Sequence, residues 1–432
     1  MHECTPDAII ACVSADNAKR SIVHTAAISA LGGVFEFYDF VIFAVFAPQI
    51  GRAFFPPEAG ESSRTLQAFA VFAVGYLARP VGGMLWAHVG DRRGRAYVFS
   101  HTVLGMAACT LMIALLPGYA TLGVAAPVLL VGLRLLQGMA LGGEIPASLC
   151  WLSEHAGPRR VALVTALLMA GVNSGLLLGQ GVAVTLEAIF GSEHAMNWAW
   201  RLAFVFGSSV GVIAYFVRRH VGETRQFLEM HAGGAVERLP LKTLLRTQPR
   251  ALLSGFLMCS MHAWVVPALY LTLPSFLVQC HGMELHHAER VALVASCLGS
   301  VVYVCSGWLA DRVGARRVCV TALLVVAVAA LPAYAMTTAD TTWPIVALGA
   351  AAGAFVGAYL SLLPTLFPAS VRVSGLATSY DGAAAIIGGS GPYLMLWMAQ
   401  HHGSQGVAWL MVAFAAAALT GLATSARRCL HP

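Results

Sequence analysis

Long apolar stretches, closed by short polar, proline or glycine turns, recur along the whole chain. A first set covers 24–48, 66–88, 97–116, 122–150, 161–186 and 199–218; a second covers 250–278, 290–310, 317–337, 343–366, 375–399 and 405–425. Each is long enough for the roughly 20 residues that carry an α-helix across a bilayer. The pattern therefore predicts an all-α membrane protein of about twelve transmembrane helices in two pseudo-symmetric six-helix bundles. The divisions that follow are an N-terminal segment 1–23, a first bundle 24–218, a linker 219–249, a second bundle 250–426 and a tail 427–432.

The polar remainder orients this pattern. Arg218, Arg219, Arg225, Arg238, Lys242, Arg246 and Arg250 gather around the linker, and further arginines stand at Arg92, Arg93, Arg95, Arg159, Arg160, Arg312, Arg316 and Arg317. If the helices alternate, these loops share one face with both termini, and the positive-inside rule makes that face cytoplasmic. The opposite loops hold Glu58, Glu61, Glu187, Glu193, Glu284, Glu289 and Asp340. A multi-pass protein of a bacterial inner membrane, with both termini in the cytoplasm, satisfies this arrangement.

Composition sharpens the picture. Of the 432 residues, 58% are hydrophobic and 11% charged, where a soluble domain carries roughly a quarter charged. That excludes an ordinary water-soluble globule and leaves no length for a separate soluble domain. The net charge of +6 resides in the loops and gives no reason to expect a nucleic-acid partner. The polar N-terminal residues lack the charged-then-apolar pattern of a cleaved signal peptide, so the first span is expected to stay as an anchor. The ten cysteines form no CxxC pair and no metal-ligand spacing. His281, His286, His287, His401 and His402 fall on the outer loops and read as solvated surface, with no metal site expected.

The two sets of helices share a feature. Gly90-Asp91-Arg92-Arg93-Gly94-Arg95 follows the second span of the first set, and Ala310-Asp311-Arg312-Val313-Gly314-Ala315-Arg316 follows the second span of the second. A tight turn between helices needs Gly94 or Gly314 for positive φ, the Asp can accept from a neighbouring helix N-terminus, and the Arg can hold a carboxylate. Basic loops that merely set topology would explain the arginines but not the matched Asp and Gly. Asp91, Arg92, Arg95, Asp311, Arg312 and Arg316 are thus candidates for a breakable cytoplasmic latch.

Charges inside the spans are costly and normally face a partner or a water-filled path. Glu36 and Asp39 lie on one face of the first span, roughly 18 to 23 Å from its cytoplasmic end by helical rise. Arg79 and Arg134 reach similar depth. Asp39 with Arg134 is the candidate proton-coupling pair, and Glu36 with Arg79 a second one; structural ion pairs are the bland alternative. Arg79 and Arg134 could instead clamp a substrate carboxylate, with Gln137, Asn173 and Gln180 as neutral donors. For Asn173 and Gln180, hydrogen bonding between helices is the competing role. Tyr270, Tyr359 and Tyr380 read equally as cavity donors or packing aromatics.

The doubled loop resembles the signature loop of the major facilitator superfamily. More specifically, the chain resembles the metabolite:proton symporter family, whose members carry citrate, 2-oxoglutarate, shikimate, or proline with betaine. The matching stretches are Phe35-Glu36-Phe37-Tyr38-Asp39-Phe40 with Phe54-Phe55-Pro56, Gly75-Tyr76-Leu77-Ala78-Arg79-Pro80, and Arg134-Leu135-Leu136-Gln137-Gly138 leading to Gly142-Gly143-Glu144. Trp200-Arg201-Leu202-Ala203-Phe204, Glu223-Thr224 with Phe227, Leu366-Phe367-Pro368 with Arg372 and Gly375, and Gly388-Gly389 with Pro392 continue it. The resemblance implies the two-bundle fold, a proton role for Asp39 and Arg134, and a gate role for Glu144 paired with Arg95 or Arg92. Glu154 with Arg159, and Arg372, are the expected accompanying loop contacts. Asp381 departs from the family, where Asn is usual, and adds a carboxylate that could titrate or repel an anion; His101 and His262 are further titratable groups in the spans.

No GxSxG, HExxH, CxxC or Walker loop is present, so an enzyme is not expected. A channel would be built around a filter loop or rings of charge. The expectation is a secondary active transporter working by alternating access: proton-coupled symport of a small organic acid, a di- or tricarboxylate such as citrate. A proton-driven exporter of a carboxylate-rich metabolite and a symporter of a zwitterion such as betaine or proline are the alternatives. The partners expected are the organic acid, protons and the lipid bilayer, with no cofactor beyond the coupling proton and a monomeric chain.

Overall fold

Within lipid every backbone N–H and C=O must be satisfied inside its own segment, so the apolar runs have to be helices. The computed structural model describes residues 22–157, 159–219, 223–232 and 240–426, and among them it is helical with no strand. The N-terminal segment up to residue 21, Arg238 of the linker and the tail 427–432 lie outside the described residues.

The first set of helices is α1 (Ile22–Val45), α2 (Ala47–Phe54), α3 (Glu61–Arg93), α4 (Arg95–Leu115), α5 (Ala125–His155), α6 (Val161–His194) and α7 (Trp200–Arg218). Two short helices, α8 (Arg225–Ala232) and α9 (Pro240–Thr247), lie in the linker. The second set is α10 (Pro249–Val266), α11 (Leu273–His281), α12 (Leu285–Val313), α13 (Ala315–Met336), α14 (Trp343–Tyr359), α15 (Arg372–Ala383) and α16 (Gly389–Ala426). Nine of the described helices are long and apolar enough to cross a membrane, or ten if a bent pair is one span. One of these runs, Ala369–Ser425, has 57 residues and is interrupted by Gly403 at φ 65°, so it holds two of the predicted stretches. Trp343–Tyr359 is a shorter apolar helix. Each apolar stretch read from the sequence is helical over most of its length, and the one read as 343–366 ends its α-helix at Tyr359, where a turn and a short 3-10 segment follow.

The departures from straight spans have local causes. The first stretch is bent by 64° between α1 and α2. Phe46 leaves helical geometry there (φ −92°, ψ 17°), and Pro48 opens the new helix in its first turn, where its missing N–H costs nothing. The seventh stretch, read as one helix over 250–278, is instead α10, a π-helical turn at Pro267–Leu271 and α11. A second π-helical turn, Ala384–Gly388, separates α15 from α16. In both cases extra backbone is inserted where side chains of interest cluster, a known habit of π turns.

The chain folds as two compact units. The first comprises Met1–Trp151 and Gly171–Val236; the second comprises Leu152–Ala170 and Glu237–Pro432. Each unit repeats two devices. Gly94 (φ 116°) ends α3 and caps α4, and Gly314 (φ 101°) does the same between α12 and α13. Within the first unit, Gly138 and Gly142 of α5 press on α3: a Cβ at Gly138 would overlap the Gly75 carbonyl, and one at Gly142 the Arg79 carbonyl. Gly353 and Gly357 of α14 repeat this spacing against α12, where a Cβ at Gly357 would overlap the Tyr303 carbonyl. Small residues four apart let membrane helices approach this closely.

Candidate functional site

The close packing of α5 on α3 brings buried polar side chains of α1, α4 and α5 to one place. Arg134 Nη1 stands 3.8 Å from Asp39 Oδ2, with both side chains almost fully buried. Gln137, one turn further along α5, lies between them: its carbonyl accepts from Arg134 and its amide donates to Asp39. Thr110 of α4 completes the shell, donating to Asp39 Oδ1 at 2.7 Å and receiving the Gln137 amide at 2.9 Å. Phe43 covers the other side of Arg134, the guanidinium carbon lying 3.9 Å from the ring centroid. A cavity of about 20 Å³ adjoins Asp39, Arg134, Gln137, Gly75 and Tyr76. That is room for about one water molecule.

Glu36, on the same face of α1, pairs with Arg79 of α3 at 3.4 Å, again with both side chains buried. The Arg79 guanidinium also lies 5.3 Å from the Tyr76 ring. Asn173 of α6 is buried in the same unit, on a stretch where Gly171 meets Ala30 and Gly175 meets Val34 of α1. Gln180 is exposed.

Ten residues along α5 from Arg134, or about 15 Å by helical rise, Glu144 makes a different pair from the one expected. Its carboxylate accepts from Arg218 of α7 at 2.6 Å and from Thr102 of α4 at 2.9 Å, with Glu144 and Arg218 wholly buried. Arg218 also donates to the Phe99 carbonyl at 3.0 Å and stacks on the Phe99 ring at 3.8 Å. Arg95 and Arg92 are therefore not its partners. Arg92 is exposed and contacts His88, while Arg95 is buried with its guanidinium 5.1 Å from the Phe227 ring. The reason is geometric: Arg95 opens α4, and what its turn attracts is Glu223, whose carboxylate accepts the backbone N–H of Arg95 and of Ala96, both at 3.1 Å. This is a helix N-terminus capped by a carboxylate from the linker. Burial pushes the Glu223 carboxyl above its ordinary range, against the backbone donors and Arg95 that hold it down.

The second unit has its own set. Asp311 caps α6, accepting the N–H groups of Ala162 and Leu163 at 2.9 Å each. Asp91, the matching residue of the first unit, is fully buried. Glu154 accepts from Arg372 at 2.7 Å, so the partner expected for it, Arg159, is replaced; Arg159 stands exposed. Arg312 and Arg316 are exposed as well, with Arg312 stacked on Trp308 at 3.8 Å.

Tyr359 of α14 meets His262 of α10, whose Nδ1 lies 2.6 Å from the tyrosine oxygen. The Tyr380 ring packs on His262 at 5.8 Å between centroids, and Asp381 beside it is fully buried. Tyr270 sits in the π turn with its hydroxyl over Gly299, apart from the Tyr359 group in sequence and facing Tyr303. His101 stacks on Tyr97 at 4.0 Å and bonds the Tyr97 carbonyl at 2.8 Å, which is a packing role.

Thr102, Thr110 and Tyr303 are absent from the residues singled out by sequence, and Arg218 stands there only among the linker charges. A threonine in an apolar helix carries little signal, because it usually bonds its own carbonyl four residues back, as Thr110 also does to Met106. For Arg218 only its position at the end of an apolar run distinguishes it from the other linker charges.

Comparison with known proteins fits this geometry. The chain is 32% identical to the inner membrane metabolite transport protein YhjE of Escherichia coli over 404 residues, covering 91% of this chain and 92% of that protein. It is 27% identical to the citrate-proton symporter of Klebsiella pneumoniae over 390 residues, covering 89% and 87%. Its fold matches the structure of the proton:xylose symporter XylE with a TM-score of 0.74 at 15% identity, covering 92% of this chain and 94% of that one. The sequence profile of the Major Facilitator Superfamily spans residues 29–389. With two units of membrane-length helices, a repeated Asp–Gly turn and near full-length relatives that are membrane transporters, the chain belongs to the Major Facilitator Superfamily.

Proposed function

We propose that this transporter is a proton-coupled symporter of a small organic acid, a di- or tricarboxylate such as citrate, working by alternating access. The observation that carries the reading is the chain Arg134–Gln137–Asp39, buried beside space for one water. A carboxylate and a guanidinium held at 3.8 Å through a neutral amide form a separable pair. When a proton neutralises Asp39, the amide loses its charged acceptor and Arg134 its counter-charge, so the arginine becomes available to an incoming carboxylate. Arg79, held by Glu36, is the second cation in this reading. Glu144 with Arg218, Glu223 on α4, Glu154 with Arg372 and Asp311 on α6 act as the gate contacts on the cytoplasmic side. The chain is read as a monomer of the bacterial inner membrane with both termini in the cytoplasm, which the arginine-rich loops support.

The test is uptake by purified protein in proteoliposomes under an imposed inward proton gradient, offered a panel of labelled di- and tricarboxylates. Gradient-accelerated uptake of one of them is expected. Asp39→Asn should abolish gradient-driven accumulation and leave exchange of preloaded substrate intact. Gradient-driven loss of preloaded substrate, or accumulation by Asp39→Asn equal to that of the native protein, would overturn the reading.

A further inference from the structure

The second unit holds a buried polar group that the Asp39 cluster does not use. Asp381 of α15 is fully buried, about 18 Å along the helical run that begins at Ala369. Within its electrostatic range is the thiol of Cys259 on α10, itself buried and set against the Tyr359 hydroxyl. Tyr359 in turn stands 2.6 Å from His262 Nδ1, one turn beyond Cys259 on α10. His262 is 7% exposed and its ring packs on the half-buried Tyr380. Thus an acid, a thiol, a phenol and an imidazole lie buried together in the second unit, with the phenol and imidazole in hydrogen-bond contact. Glycine makes the approach of α10 to α15 possible one turn away, where Gly255 faces Ser379.

The titratable groups facing this chain from the packed elements are Cys259 and His262 on α10, Tyr359 on α14, Tyr380 on α15, Cys319 on α13, and Tyr303 on α12, which faces Tyr380. A carboxylic acid is far cheaper to bury at this depth than a carboxylate. Tyrosine and histidine can each accept a proton on one atom or side and give one from another.

We propose that Asp381, Cys259, Tyr359 and His262 form a second proton-binding site, carried entirely by the second unit. Asp381 takes the proton and passes from anion to neutral acid. His262 is the exchange point: as it takes a proton on Nε2 it gives its Nδ1 proton to the Tyr359 oxygen. Tyr359 gives its hydroxyl proton to the Cys259 sulfur, and Cys259 gives its S–H proton to the Asp381 carboxylate. Phenol and thiol end unchanged, and His262 ends as the other imidazole tautomer. This deepens the symport reading and rests on it only for the use of the proton, since binding itself needs no substrate.

Infrared difference titration of the substrate-free, full-length protein in detergent tests it, reading the C=O stretch of protonated carboxyl groups against pH. Asp39→Asn serves as the background, so that carboxyl is out of view. A titrating carboxyl band present in Asp39→Asn and missing from the Asp39→Asn/Asp381→Asn double variant is expected. Its midpoint should move by a factor of about ten in proton concentration, about one pH unit, in both His262→Gln and Tyr359→Phe. Asp381→Glu, which keeps the acid, should return the band at a shifted frequency and guards against loss of folding in the asparagine variant. Superimposable spectra with and without the Asp381 carboxyl would overturn the site, and an unmoved midpoint in both His262→Gln and Tyr359→Phe would overturn the relay. Either failure is separate from the proteoliposome result for Asp39→Asn, which tests the symport reading alone.

Discussion

Gln137 joins Arg134 to Asp39, accepting from the first and donating to the second. The direction of the amide is fixed by its neighbours, because a guanidinium has only donors and an ionised carboxylate only acceptors. In the symport proposed above, proton occupancy at Asp39 acts on the grip on Arg134 through this one side chain. Gln137→Leu, close in volume, should leave the protein folded and reduce gradient-driven uptake by at least tenfold, measured in proteoliposomes against unchanged yield and melting temperature. Gln137→Glu puts a second acid between the two groups, and the pH dependence of its uptake should move in the alkaline direction.

Thr110→Val is the milder probe of the same acid. Removing the hydroxyl deletes a donor at 2.7 Å from Asp39 while keeping the shape. Loss of a hydrogen bond to a charged group costs about 1.5–3 kcal/mol, and the charged form of Asp39 bears the loss. The acid limb of the uptake profile should shift upward by about one to two pH units, read from initial rates across the acid to mildly alkaline range.

The Glu144–Arg218 pair lends itself to a double-mutant cycle. Removing either partner leaves an uncompensated buried charge, worth about 3–5 kcal/mol. Glu144→Ala and Arg218→Ala should each lower the melting temperature in detergent sharply, and the double variant should fall less than the two losses added together. The same cycle on Glu144 with Arg95 should show no coupling, because those side chains do not pair.

Glu223 makes a pH prediction whose sign follows from its burial. Its carboxyl is held above the ordinary glutamate value of 4.5 in the folded protein, so the folded state binds the proton more tightly than the unfolded one. The stabilisation is complete below that ordinary value and is lost as pH rises through the folded value. Glu223→Gln removes the titration and keeps one carbonyl oxygen to accept from Arg95 or Ala96, losing the second acceptor. The variant should therefore gain in melting temperature relative to the native protein as pH is raised through this window, whereas Glu223→Ala should lose about 1 kcal/mol of capping at all pH values.

Packing supplies a contrast within one helix. Gly138→Ala has to push the Gly75 carbonyl aside and should cost about 1–3 kcal/mol. Gly132→Ala, two turns earlier on α5, meets nothing within 4 Å and should be neutral or slightly stabilising. Thermal melts of the two single variants decide it.

The sequence made the apolar helices and the repeated Asp–Gly turn legible because both are local: hydropathy is a property of a window, and a positive φ asks for glycine wherever it occurs. Asp39 with Arg134, and Glu36 with Arg79, were legible from depth along their helices. Depth says nothing about rotation, and rotation decided the misassigned partners. Glu144 turns towards α7 and meets Arg218, while Arg95, at the first position of α4, is drawn to Phe227. The bends were hidden for another reason. Pro48 and Pro267 break their spans at points where mean hydropathy does not change. The spacing of Gly138 with Gly142 and of Gly353 with Gly357 was in plain view, and it gains meaning only once α3 and α12 are known to lie against it.

The cavity beside Asp39 also bears on which ions this transporter could use. At about 20 Å³ it has room for a single water, while a hard divalent cation surrounds itself with about six oxygen atoms at short range. Arg134 occupies the side on which such oxygens would have to stand and presents positive charge there. A divalent cation with its full shell needs more room than this cavity has, and the Arg134 guanidinium beside it is repulsive to it. On the symport reading proposed above, one guanidinium and the smallness of the space it leaves are what would favour a proton over such a cation as the coupling ion.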